Sequence, residues 1–470
     1  MRAEQLVTMQ DSIFVISDLH LGGAAGFQMC SARGRSRLAA LLRWITSQRT
    51  VDQNTHLVLA GDIVDFLAER PWEAFTADNE RAESKLTKIF ESTTEVWDAL
   101  RDFVRGGSAL TLLLGNHDLE LSLPGPRRLL LDRLGGGRVE FLYDNQAFVH
   151  GPVFIEHGNR HDHWNVVQHD SLRKVRSSLS RLEEPAPFPA PAGSRLVVEV
   201  MNEVKEAFPF IDLLKPESEA SLPLLAAVDP TRFAKISNIT GFFFARLEAL
   251  NSAAHPSWKT GSGSGNLEVE KSEREAQVAL REAREIAGAV GAGATGLLSN
   301  AARALADLST TARIDVLFRT LRFFAKRQAG EYRTNFETHS YLQKAEQAVQ
   351  GSLKRAGARA FEVIIFGHTH LARRVPLSNN AVYLNTGTWA DLMSIPESIL
   401  ADDVATAKDD LAKFVTALET KQFDGLRKFI PSYARVDLKD GSVVDRDVWL
   451  FRSVDLQERL PTGSLWAAAE

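Results

Sequence analysis

Short apolar runs, each cut off by a glycine or a polar residue, set the rhythm of the N-terminal third of the chain. The runs at 13–17, 57–60 and 110–114 are too short for helices and read as buried strands. Between them, Leu38, Leu41 and Leu42 predict a helix over 36–44. A single long amphipathic helix is expected over 79–104, stopped by Gly106-Gly107. Strand-and-turn patterning covers 139–156. From 166 to 358 strand-like runs nearly vanish, and helical patterns alternate with turn-rich breaks at 184–191 and 261–265. Val197, Val200, Met201, Val204 and Phe208 line one helix face there, and Ile314, Leu317, Phe318, Leu321 and Phe324 another. The segment 267–286 carries charges at i,i+4 spacing, as a solvated helix does. Strands resume at 362–366 and 381–384. A helix over 402–420 and a hairpin joining 433–438 to 443–451 across Asp440-Gly441 close the pattern. The expectation is an α/β domain formed by 11–165 and 359–455, interrupted by an inserted helical region at 166–358.

Composition narrows this little. The 470 residues allow two to three domains, and 44% hydrophobic with 24% charged residues is ordinary for a globular chain. A net charge of -5 gives no broad attraction for nucleic acid. The single cysteine, Cys30, cannot form an internal disulfide and reads as a buried thiol in a reducing compartment. Residues 1–12 lack the apolar core of a secretion signal, and no apolar run approaches the roughly 20 residues of a spanning helix. A cytoplasmic location is expected.

The chemistry sits where the strands stop. Asp18, His20, Asp62, Asn116, His117, His157, His368 and His370 all follow apolar runs, and open α/β sheets place their sites beyond the carboxyl ends of strands. Oxygen and imidazole donors without thiolate suit Mn, Fe, Zn or Mg better than a structural zinc site. The donors are too numerous for one open catalytic metal and suit two, about 3.5–4 Å apart and bridged by a carboxylate. In an extended segment His368 and His370 point to the same side, and Asp18 and His20 share that offset. Singly, such pairs occur by chance, and His56, His150, His255 and His339 are read as core or surface histidines. Repetition after separate strands is what favours a site.

Taken in order, Asp18-x-His20, Gly61-Asp62-x-x-Asp65, Gly115-Asn116-His117-Asp118, His157 and Gly367-His368-Thr369-His370 resemble the motif set of the calcineurin-like metallophosphoesterase superfamily. The resemblance implies a four-layer αββα sandwich of two mixed sheets, here with a large helical insertion. It also implies hydrolysis of a phosphate ester at a dinuclear centre with a bridging hydroxide. On that pattern Asp18, His20 and His370 hold one divalent ion, and Asn116, His157 and His368 hold the other, with Asp62 bridging. Manganese is the favoured metal; iron, zinc and magnesium also fit. His117 is the non-ligand acid, and Asp65 could orient its ring. Asp118 reads equally well as a turn residue. Arg160, Arg373 or Arg374 are candidates for a phosphate clamp, and His161 and His163 for shaping the pocket. Asp65 is followed by Phe66-Leu67, where the protein-phosphatase branch has arginine and glycine. A small phosphoester, nucleotide or lipid-linked pyrophosphate substrate is therefore favoured over a phosphoprotein.

The insertion leaves the chain beside the His157 loop, which positions it as a cap that selects substrate. A second reading gives Gly241-Phe242-Phe243-Phe244 and the basic, aromatic segment 313–327 a peripheral membrane or lipid contact. Two other functions compete with general phosphoester hydrolysis. One is a lipid-linked pyrophosphate hydrolase resembling UDP-2,3-diacylglucosamine hydrolase. The other is a metal-binding scaffold without catalysis, whose signature would be a lost ligand or a lost His117; neither is lost.

Overall fold

The computed structural model describes residues 10–50, 53–162, 164–215, 224, 228–229, 311–315, 317–319, 321–322, 336–355 and 359–461. The segments 241–244, 261–265 and 267–286, together with His163, His255 and Phe324, lie outside the described residues. The chain divides into two compact units, Met1–Val198 with Glu337–Asp391 and Phe429–Glu470, and Glu199–Phe336 with Leu392–Lys428.

The first unit is built on two mixed sheets. Its strands, in chain order, are β1 (Gln10–Ile16), β2 (Gln53–Ala60), β3 (Ala109–Leu113), β4 (Val139–Leu142), β5 (Phe148–His150), β6 (Val153–Ile155), β8 (Val363–Phe366), β9 (Arg373–Pro376), β10 (Val382–Asn385), β13 (Ser432–Lys439), β14 (Ser442–Ser453) and β15 (Leu456–Arg459). The larger sheet runs β15-β14-β13-β1-β2-β3-β4 and the smaller β5-β6-β8-β10-β9. β1 to β4 are mutually parallel, and β13 joins antiparallel to β1. β6, β8 and β10 are parallel, with antiparallel edge strands β5 and β9.

The period-two alternation of strands explains the layering. Ile13, Val15, Val58, Ala60 and Leu113 face Val153, Ile155, Val363, Ile365 and Leu384 in one core between the sheets. Phe14, Ile16, Leu57, Leu59, Leu110 and Leu112 face the other way, onto helices α1 (Ala32–Ser47), α2 (Asn79–Ser92), α3 (Thr94–Arg105) and α4 (Pro124–Leu134). Across the smaller sheet, Ile364, Phe366 and Tyr383 pack on Tyr341, Ala345 and Val349 of the helix Phe336–Leu353. Helix, sheet, sheet and helix make four layers. Both sheets are covered on both faces, which is why their central strands read as nearly continuous apolar runs.

Two local expectations need correcting, and one helix is an addition. The helix over 79–104 is two helices, broken at Thr93 (φ -132°, ψ 29°). The cause is a run of hydroxyls, Ser92-Thr93-Thr94, each of which donates to a carbonyl one turn back. Helix α4 falls in a stretch for which no element was expected; proline occupies its first turn, where no N–H is needed. The helix expected from Val197 is a π-helical turn, Val197–Met201, followed by the helix Asn202–Ala207. The hairpin did form across Asp440 (φ 50°) and Gly441 (φ 74°).

The second unit holds a small sheet with central strand β11 (Leu392–Ser394), flanked by β7 (Leu214–Lys215) and β12 (Arg427–Lys428). Its helix Val404–Glu419 is capped by the Asp403 carboxylate, which accepts from the Ala405 and Thr406 amides. Ile314, Leu317, Phe318 and Leu321 are buried in this unit. Among the described residues no helix is long and apolar enough to cross a membrane.

Candidate metal centre

The loops that follow the central strands are stitched to one another before any side chain is considered. The Asp18 amide donates to the Gly61 carbonyl (3.1 Å), that of His20 to Asp62 (3.0 Å) and that of Leu21 to Ile63 (3.0 Å). In the same way Phe66 donates to His117 (3.2 Å) and Gly367 to His157 (2.9 Å), and the Trp389 amide beyond β10 donates to the Asp18 carbonyl (3.1 Å), which joins tips from the two sheets. The turns are tight. Asp18, His20, Asp62, His368 and His370 all hold positive φ, between 43° and 68°. Such conformations cost a side-chain-bearing residue about 1–3 kcal/mol and concentrate at functional sites. Gly61 (φ 88°) leaves room for the His157 ring, which a Cβ there would meet at 2.6 Å.

Three groups of donors result among the described residues. Asp18, His20 and His370 form one, Asp62, His157 and His368 a second, and His20, Asp65 and His117 a third that shares His20 with the first; within each group the donor atoms lie within 4.8 Å of one another. His20 Nε2 is 3.0 Å from His370 Nε2, which is 3.3 Å from Asp18 Oδ1. His157 Nε2 is 3.2 Å from Asp62 Oδ2, while Asp62 Oδ1 accepts the His117 amide at 2.8 Å. His157 Nδ1 donates to the Ala60 carbonyl at 2.8 Å, leaving Nε2 as its lone-pair nitrogen when neutral. Asn116 directs its Nδ2 to Asn165, and its buried Oδ1 has no hydrogen-bond partner. A buried amide oxygen without a partner costs about 1–3 kcal/mol; a cation beside it removes that cost. The residues therefore fit divalent metal, in donor type and in what they leave unsatisfied.

The electrostatics say the same. Burial alone would raise the Asp18 carboxyl, but the hydrogen bond from His370 and the fields of His157 and His370 bring it to about 2. Burial also opposes ionisation of Asp62, yet His157 and His117 hold it well below the usual range. The Asp62 carboxylate in turn overrides burial at His157 and pushes it to about 9. Protons on imidazole thus supply the positive charge that these carboxylates require.

Asp65 serves two rings. Its Oδ1 is 3.2 Å from His117 Nδ1 and its Oδ2 3.5 Å from His20 Nδ1, and Oδ1 also accepts the Leu67 and Ala68 amides. Burial works against the charge on His117, but Asp65 and Asp62 prevail and raise it to about 10. Asp118 binds two motifs together, accepting from Ile63 N and Gly115 N at 2.7 Å each. Burial and the Asp62 charge push Asp118 up to about 7.

Arg160 Nη1 is 3.8 Å from Glu156, whose other oxygen is 2.5 Å from His161 Nε2. Arg373 opens β9, opposite Asn385, and Arg374 Nε is 3.5 Å from Asp447. His56 bonds Thr111 and His150 bonds Asp11, each apart from the donor groups. Several partners went unassigned in the sequence. Ser17 bonds both the Asp18 carboxylate and Thr386, and Thr388 Oγ1 donates to the Asp18 carbonyl at 2.8 Å. Asp162 and Asn165 touch His368 and Asn116. Their only sequence signal was closeness to a motif.

Residues 12–199 match the family model for calcineurin-like phosphoesterase. That span contains the first four motifs; Gly367-His368-Thr369-His370 lies beyond it. No curated protein matches the chain.

Proposed function

We propose that this chain, whose residues 12–199 match the calcineurin-like phosphoesterase family model, is a member of that superfamily and hydrolyses a small phosphoester with a pair of divalent cations. The observation that supports a pair is that the donor groups around Asp18 and around Asp62 share no residue, while the third group shares His20 with the first. In this reading Asp18, His20 and His370 hold one cation, Asn116, His157 and His368 the other, and Asp62 lies between. Oxygen and imidazole donors with no thiolate suit manganese, iron, zinc or magnesium, and manganese is the one taken for the test. When bound, such cations acidify a water and neutralise phosphoryl oxygens.

The chain's own residues supply the rest. His117 carries a proton, held there by Asp65 and Asp62. Asp65 faces the Nδ1 side of that ring, so Nε2 is the atom that gives its proton to the departing oxygen. Arg160 and Arg373 are the side chains assigned to the phosphate, where a guanidinium matches two oxygens at once.

The test uses metal-stripped protein reloaded with Mn²⁺, assayed on 4-nitrophenyl phosphate and bis(4-nitrophenyl) phosphate. Turnover that appears with Mn²⁺ and disappears with chelator is expected. Activity confined to lipid-linked pyrophosphates would shift the assignment to that substrate class. Two bound ions with no turnover of any phosphoester would overturn the enzymatic reading in favour of a scaffold.

A further inference from the structure

The loop 159–165 reaches two of the residues assigned to the second cation. Asp162 Oδ2 is 3.1 Å from His368 Nε2 and accepts from Asn165 Nδ2 at 2.7 Å. Asn165 Oδ1 in turn accepts from Asn116 Nδ2 at 3.3 Å. Its described residues are cross-linked by further hydrogen bonds. Asp162 Oδ1 accepts the Trp164 amide (3.0 Å), the Asn165 amide donates to the Asp162 carbonyl (2.9 Å), and Asn159 Nδ2 donates to the Asn165 carbonyl (2.8 Å). Gly193 makes room for it, since a Cβ there would lie 2.2 Å from Asn165 Oδ1.

This chain of bonds has only one direction. An ionised carboxylate accepts and never donates. His368 must therefore carry its proton on Nε2, which leaves Nδ1 with the lone pair a cation needs. Asn165 must turn its NH₂ toward Asp162 and its oxygen toward Asn116. Asn116 must then turn its NH₂ toward Asn165, and its oxygen is presented elsewhere. That oxygen is the buried one without a hydrogen-bond partner.

We propose that Asp162, acting on His368 directly and on Asn116 through Asn165, is a positioning residue that turns one lone pair of each toward the second cation. The inference rests on the two-cation reading above. It makes the first cation, held by Asp18, His20 and His370, independent of Asp162. Partners of this kind, once removed, cost about 10–100-fold in metal affinity.

The experiment is a calorimetric Mn²⁺ titration of the full chain and its variants. The Mn²⁺ electron paramagnetic resonance spectrum provides a second readout, because a coupled pair differs from a single ion. Wild type should take two ions. Asp162→Ala should bind the second about 10–100-fold more weakly and leave the first unchanged, losing the coupled signal at concentrations that saturate wild type. Asp162→Asn keeps an accepting oxygen and should retain the second ion. If Asp162→Ala does not fold, Asn165→Ala carries the test and should weaken the second ion alone. Equal weakening of both ions, or of neither, would overturn the proposal, as would equal loss in the Asn and Ala variants. A wild type that takes no pair of ions would overturn the functional reading and this inference together. A wild-type pair that survives Asp162→Ala intact would overturn this inference only.

Discussion

Single side chains divide here into those that could hold a cation and those that brace them, and substitution should separate the two. His117→Ala, reloaded with Mn²⁺, should retain as much of it as wild type, measured by metal analysis. It should lose about 10²–10⁴-fold in turnover of alkyl phosphates with poor leaving groups, and far less with 4-nitrophenyl phosphate, whose leaving group needs no proton. Equal losses on both would remove the acid role. Asp65→Asn should be the more damaging change, because the same carboxylate lies beside both His117 and His20. Metal retained after dialysis should fall in Asp65→Asn and not in His117→Ala. The residues that follow strands were visible in the sequence because each comes after an apolar run and belongs to an ordered set. Asp162, Asn165, Ser17 and Thr386 were not. Nothing local distinguishes them, and their roles exist only where distant loops meet.

At the level of elements, what could be read was set by how far the determining contact lies along the chain. The central strands and α1 declare themselves through periodicity. So does the β13–β14 hairpin, since Asp440-Gly441 suits the left-handed turn it makes. The α2–α3 break was hidden because its hydrophobic pattern continues across it. The hydroxyls of Ser92-Thr93-Thr94 end the helix by taking its carbonyls, and Thr93 Oγ1 then accepts the buried Trp97 Nε1–H at 2.9 Å. Thr93→Ala would leave that indole N–H without its partner. A loss of about 1–3 kcal/mol is expected from urea unfolding, against near-neutrality if the hydroxyl is dispensable. β9 was missed for another reason: Arg373-Arg374-Val375-Pro376 is the polar edge strand of its sheet, and edges tolerate charge and proline that interior strands do not.

For the whole molecule, stability should depend on pH and on metal in separable ways. Burial first, then repulsion from His150 and Arg138, drives His56 from 6.5 to about 4. Between those values the unfolded chain binds a proton that the folded chain does not. Stability should therefore fall as pH drops from 6.5 toward 4, and this contribution should be level above 6.5. In His56→Gln the difference in urea midpoint between pH 7 and pH 5 should shrink; an unchanged difference would place the acid sensitivity elsewhere. Saturating Mn²⁺ at about 100 times its dissociation constant should add about 2.7 kcal/mol per site, seen as a melting temperature that drops on chelation. The five positive-φ residues at the strand tips carry this further. A left-handed backbone costs a side-chain-bearing residue about 1–2 kcal/mol, more than the roughly 0.5–1 kcal/mol of chain entropy that glycine forfeits on folding. In chelator, Asp62→Gly should thus melt above Asp62→Ala. A breeding scheme that rewarded heat tolerance and ignored turnover would drift toward glycine at these same five places, and so trace the reactive centre by erasing it.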